Sequence, residues 1–146
     1  MNPVNVLLVE DNAGDVRLTQ EAFNEGKLLV NLSVARDGQE AMAFLRREGA
    51  HAQAPAPDLI LLDLNLPKMD GHEVLREIKN DSNLTPIPVI ILTTSEADSD
   101  ILTTYGHHAN CYITKPVDID QFISVVKLLK EYWFTVVKLP SSTEAR

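Results

Sequence analysis

A chain of 146 residues, 45% apolar and 23% charged, suits one globular domain, which at this size buries about two-thirds of its unfolded surface. The formal net charge of −8, with no cluster of lysine and arginine, argues against nonspecific binding to nucleic acid or to an anionic membrane surface. Cys111 is the only cysteine, which excludes an intramolecular disulfide and a zinc site of cysteine type.

The first apolar run, VNVLLV (Val4–Val9), reads as a strand. Glu10 and Asp11 follow it at once, so it lacks the length and flanks of a signal peptide. A first helix places Val16, Thr19, Gln20 and Phe23 on one face. VNLSVA (Val30–Ala35) is a second strand, and Ala41, Phe44 and Leu45 mark a second helix. The longest loop, Gly49–Pro57, leads into LILL (Leu59–Leu62). A third helix, after Gly71, carries Val74, Leu75 and Ile78; PVIIL (Pro88–Leu92) follows as the fourth strand. A weaker helix over about Asp98–Tyr105 precedes CYIT (Cys111–Thr114), and a long fifth helix runs from Asp118, placed as its N-cap, to about Phe134. Nothing approaches the roughly 20 apolar residues of a membrane span. A soluble, cytoplasmic protein without a nucleic-acid or membrane partner is expected.

Runs apolar at every residue, such as LILL and VIIL, fit strands buried on both faces, the habit of parallel sheets covered by helices. Strict alternation of five strands with five helices therefore predicts a doubly wound α/β domain, its strand order left open by the pattern. No repeat, low-complexity segment or second domain is evident. The domain is expected over residues 1–134, with an extension over residues 135–146 that is apolar first and then disordered.

In a parallel sheet all strands finish at one edge, and ligands of open α/β sheets bind outside it. The residues that follow the runs are Glu10 and Asp11, Asp63, Thr93 and Thr94, and Lys115. Two carboxylates about 5 Å apart repel by roughly 3 kcal/mol at an effective dielectric near 20, so three together need a cation or protons. Oxygen ligands favour Mg²⁺, which uses one or two carboxylates beside a phosphoryl group. Lys115 supplies a point charge for a phosphoryl oxygen, and the Thr93 hydroxyl can donate to another. Together they describe phosphoryl transfer to a carboxylate.

The set EDN (Glu10–Asn12), LLD with the following NLPKMDG (Leu61–Gly71), LTTS (Leu92–Ser95) and YITKP (Tyr112–Pro116) resembles a response-regulator receiver domain, typified by the bacterial chemotaxis regulator. The resemblance covers about Asn5–Phe134, and four motifs in order at strand ends are specific. It implies a flavodoxin-like receiver fold with sheet order 2-1-3-4-5 and Asp63 as phosphoacceptor. It also implies Mg²⁺ held by Asp11, Asp63 and the backbone carbonyl of Asn65, with Glu10 assisting. Thr93 and Lys115 would contact the phosphoryl group, and Tyr112 would be the aromatic switch residue. Glu10 stands where many members carry aspartate. Thr94 is larger than the alanine or glycine often found after the switch threonine, which predicts narrower access to the phosphoryl group.

Taken singly, each residue has a plainer reading. Asp63 alone could cap a turn, Glu10 alone could be a solvated carboxylate, and Tyr112 could be simple packing. A flavodoxin-like electron carrier would need a hydroxyl- and glycine-rich phosphate loop after the first strand, where EDNAGD places acids. A phosphatase with an aspartate nucleophile would need an acid at Asn65. A pseudo-receiver scaffold usually lacks an acid or the lysine, and both are present. The protein is thus expected to be a switch and not an enzyme acting on outside substrates.

On the last helix Phe122, Val126, Leu129 and Trp133 share one face, while Val125, Leu128 and Tyr132 form a second stripe. One stripe suffices for the core. The second, continued by Phe134, Val136, Val137 and Leu139, predicts an apolar patch for a homodimer, unless the extension folds back over it. The apolar ending and the EDNAGDVRLTQEAF segment (Glu10–Phe23) also resemble the small regulators that partner cyanobacterial phytochromes, which implies a phytochrome-like sensor histidine kinase as phosphodonor.

Overall fold

The computed structural model describes residues 3–25, 29–64, 66–93 and 111–114, with Thr93 and the last four given by their backbone alone. β1 (Val4–Val9) and β3 (Leu59–Asp63) lie side by side within a parallel sheet. Every residue of β3 is buried, and only Asn5 of β1 is partly exposed, as strands covered on both faces require. β2 (Val30–Ala35) pairs with the outer side of β1, and its half-buried, mixed side chains suit that position. β4 (Val89–Thr93) pairs with β3. Hydrogen-bonded neighbours run β2-β1-β3-β4, and the backbone of β5 (Cys111–Thr114) is parallel beside β4. This is the doubly wound parallel sheet that the strand and helix alternation predicts, in the flavodoxin-like order over β2-β1-β3-β4 that the receiver resemblance implies.

Alternation along the strands divides the core. Ile60 and Leu62 of β3 join Leu7, Val9, Val89 and Ile91 against one pair of helices, α2 (Gly38–Arg46) and α3 (Gly71–Lys79). Leu59 and Leu61 join Val4, Val6, Leu8, Ile90 and Leu92 against α1 (Ala13–Glu25) on the other face. The buried faces of α2 and α3 contain the residues expected, together with Gly38, Met42 and Gly71.

Four details differ from expectation. Gln20 is exposed, and Ala22 takes its place in the buried stripe of α1 with Val16, Thr19 and Phe23. That stripe is centred about 90° from Gln20 at 100° per residue, so the amide escapes desolvation. β4 starts at Val89, because Pro88 has no N–H for a ladder and contributes its carbonyl to Ile60 (3.0 Å). β3 extends through Asp63, and the long loop forms a short 3₁₀ turn at Gly49–His51. The helices expected over 98–105 and 118–134, and the extension over 135–146, lie outside the described residues. Among the described residues no helix is long and apolar enough to cross a membrane.

Candidate phosphoryl-accepting and cation site

Strand register sets the site. Val9 of β1 faces Leu62 of β3, so Glu10 and Asp63, the next residue of each chain segment, emerge as neighbours. Asp63 in turn faces Leu92 of β4, so Thr93 follows on its other flank, and the Thr93 backbone is in register with Thr114. Glu10, Asp11 and Asp63 each place a carboxylate oxygen within 4.8 Å of those of the other two. Glu10 and Asp63 are 1% and 3% exposed, whereas Asp11 faces solvent. The plainer alternative for Glu10, a solvated carboxylate, does not hold: the residue is buried, and its backbone N–H donates to the Ala35 carbonyl (2.9 Å), extending the β1 ladder.

Three acids this close, two of them buried, are costly as bare anions. A donor set made only of carboxylate oxygens, open to solvent through Asp11, fits a hard divalent cation that keeps part of its water shell. The described residues thus suit such an ion by donor chemistry and spacing.

Helix caps brace the loops that carry these groups. Asn12 caps α1: its Oδ1 accepts from the Asp15 N–H (2.9 Å), and its own N–H donates to Glu10 Oε2 (3.3 Å). At α2, the N-cap Asp37 accepts the Glu40 N–H at Oδ1, while Glu40 reaches back past the cap and accepts the Arg36 N–H at Oε1, both at 2.8 Å. Asp70 caps α3 by accepting from the His72 N–H at 2.8 Å.

The segment after Asp63 is pinned at both ends. Gly71 N–H donates to the Leu64 carbonyl (3.1 Å), and a Cβ on Gly71 would lie 2.5 Å from the Asp63 carbonyl oxygen. Only glycine lets α3 begin against the backbone of the candidate phosphoacceptor. Lys68 turns the loop in the left-handed region (φ 67°), and its ammonium lies 3.6 Å from Asp37 Oδ2. Gly38 packs on the backbone of Met69, which joins the start of α2 to the same loop.

Of the expected site residues, the structure brings Glu10, Asp11 and Asp63 together and places the Thr93 backbone at the end of the adjoining strand. Tyr112 has its backbone in β5. Asn65, Thr94 and Lys115 lie outside the described residues, as do Val125, Leu128, Tyr132, Phe134 and Val136 of the expected dimer patch. Sequence reasoning missed the supporting roles of Asn12, Asp37, Lys68 and Gly71. The D-x-x-E pattern at Asp37–Glu40 was a readable signal.

The chain matches the response regulator receiver domain family over residues 6–127. It is 44% identical over 140 residues to the response regulator Rcp1 of Synechocystis, covering 96% of this chain and 95% of that protein. The crystal structure of the phosphorylated cyanobacterial phytochrome response regulator RcpA is similar, with 50% identity, a TM-score of 0.84, and coverage of 95% of this chain and 99% of that one. That of the Mn²⁺-bound form of response regulator Rcp1 shows 45% identity and a TM-score of 0.82, over 94% of this chain and 99% of the other.

Proposed function

Because the chain belongs to the response regulator receiver domain family, we propose that it is a two-component response regulator that accepts a phosphoryl group from a sensor histidine kinase onto Asp63 with Mg²⁺. The observation that carries this reading is the convergence of Glu10, Asp11 and Asp63 at the edge where β1 and β3 end. An Asp63 carboxylate oxygen attacks the phosphorus of a phosphohistidine, the P–N bond breaks, the imidazole leaves with the electron pair, and an acyl phosphate forms.

Glu10, Asp11, Asp63 and the Asn65 carbonyl would hold the cation, which when bound neutralises charge on the phosphoryl oxygens. A divalent ion is supported by the Mn²⁺-bound form of Rcp1. Lys115 contacts a phosphoryl oxygen, Thr93 donates to another, Thr94 narrows access, and Tyr112 follows Thr93 as the switch. The position of the Thr93 backbone one residue beyond the register partner of Asp63 supports its part. Asn65 leaves no general acid two residues after Asp63, so turnover of outside substrates is not expected.

The complete receiver is a five-stranded sheet of order 2-1-3-4-5 spanning residues 1–134, with 135–146 as an extension; the pairing of β4 with Cys111–Thr114 and the family match over 6–127 support this. Likeness to RcpA, a phytochrome response regulator, supports a phytochrome-like kinase as donor, and a cytoplasmic setting is part of the same proposal. The second apolar stripe, with Val125, Leu128, Tyr132, Phe134 and Val136, supports a homodimer, and sedimentation giving only monomer at micromolar concentration would remove it.

Incubation with a small phosphodonor, with and without Mg²⁺, followed by intact mass, tests the central reading. A gain of one phosphoryl group that needs the metal and is lost in Asp63→Asn is expected. A gain that survives in Asp63→Asn, or no metal-dependent gain, would overturn it.

A further inference from the structure

Asn12 joins two parts of the molecule. Its backbone N–H donates to Glu10 Oε2 at 3.3 Å, while its Oδ1 accepts the Asp15 N–H at 2.9 Å and its carbonyl accepts the Val16 N–H at 3.0 Å. The direction of the Asn12 N–H follows from the backbone angles of Asn12, and the two bonds to the first turn of α1 hold those angles. Gly14 helps, since a Cβ there would come within 3.2 Å of Asn12 Oδ1 and crowd the cap.

Glutamate at position 10 makes this bracing matter. It has one more rotatable bond than aspartate, and at 1% exposure its carboxylate has to hold a single direction to serve a cation shared with Asp11 and Asp63. Resting on the reading of those three acids as a divalent-cation site, we infer that Asn12 is a positioning residue for it. Its side chain caps α1, the cap fixes the Asn12 N–H, and the N–H orients the Glu10 carboxylate. Cation binding and ordering of the first turn of α1 then reinforce each other, since coupling between two equilibria is reciprocal.

The test titrates Mn²⁺ into the full chain, reading free ion by electron paramagnetic resonance. Asn12→Ala should weaken binding about fivefold, below the roughly 10–100-fold typical of direct outer-shell partners. Asn12→Ser, which keeps a capping oxygen, should restore binding to within about twofold of wild type. Asn12→Gly, a tolerated N-cap that holds no side-chain bond, should weaken binding like alanine and serves if Asn12→Ala does not fold. In parallel, Mg²⁺ should slow hydrogen exchange at the Asp15 and Val16 amides of wild type and do so less in Asn12→Gly. If Asn12→Gly binds Mn²⁺ like wild type while Glu10→Gln binds it weakly, the positioning role is wrong and the cation site stands. If Ser weakens binding as much as Gly, capping is not the link and the inference fails. If Glu10→Gln, Asp11→Asn and Asp63→Asn all bind Mn²⁺ like wild type, the cation site itself fails and this inference with it.

Discussion

Replacing Gly71 by alanine tests how the candidate phosphoacceptor is held. The added Cβ would lie 2.5 Å from both the Asp63 carbonyl oxygen and Leu64 Cα, and 2.9 Å from the Leu64 carbonyl oxygen, where ordinary contact begins at 3.4 Å. All three are backbone atoms, so no side chain can swing away, and a shift of about 0.9 Å is needed between the start of α3 and the end of β3. In an open helix the same change would stabilise by up to about 1 kcal/mol, because alanine is the better helix former. Overpacking costs about 1–3 kcal/mol, so a net loss of about 1–2 kcal/mol is expected by urea unfolding. A displacement near 1 Å at the reacting carboxylate also predicts a tenfold to roughly hundredfold slower phosphorylation by a small donor, read by intact mass at fixed Mg²⁺. Unchanged or higher stability with wild-type phosphorylation would refute the argument that glycine sets the approach.

Asp37→Ala removes the cap of α2 and the carboxylate facing Lys68; a loss of about 1 kcal/mol, or about 3 °C in Tm, is expected by thermal unfolding. Arg46 bridges α2 and α3 through Glu77 at 2.9 Å and Asp81 at 3.6 Å, and the hydrogen bond it donates to Glu77 raises its pKa. Both bridges are substantially solvated, so Arg46→Met should cost less than about 1 kcal/mol, with the difference shrinking in high salt. Lys79 donates to the carbonyls of Thr85 and Ile87 at 3.3 Å, and burial lowers its pKa below the ordinary 10.5. Between its folded and unfolded pKa the unfolded chain binds more protons, so this contribution to stability rises with pH toward 10.5. The urea midpoint of wild type should gain on that of Lys79→Met over that window, and a gap moving the other way would contradict it.

How much was legible follows from which forces act locally. LILL and PVIIL announced themselves because strands buried on both faces need apolar residues at every position, and Asp63 then had to lie at their edge. Gln20 was misplaced because a face read from four residues put its centre about 40° from that of the observed stripe at 100° per residue, and Ala22 is small enough to pass as neutral. Burial of Glu10 was hidden, since a carboxylate looks solvated until the β1 ladder to Ala35 is known. Gly71 is the deepest case. Its need for glycine comes from a backbone eight residues earlier in the chain, a contact that exists only after β3 and α3 are placed.

Bracing around Asp63 also bears on where a phosphoryl charge can do work. The loop after β3 touches α2 through Lys68 and Met69 and runs into α3 through Asp70 and Gly71, so moving it would disturb two helix caps at about 1 kcal/mol each besides the Gly71 contact. The other flank of Asp63 is Leu92 of β4, which continues into Thr93. Phosphorylation turns the single negative charge of the Asp63 carboxylate into an acyl phosphate carrying nearly two, and the response is therefore expected on the β4 side, with α2 and α3 held. Hydrogen exchange of the phosphorylated and unphosphorylated chain checks this. Protection at the capped amides of Glu40 and His72 should stay within about twofold, while peptides spanning 93–114 change by more. Loss of protection at Glu40 and His72 on phosphorylation would show that the caps yield, and that the signal leaves through α2 and α3 instead.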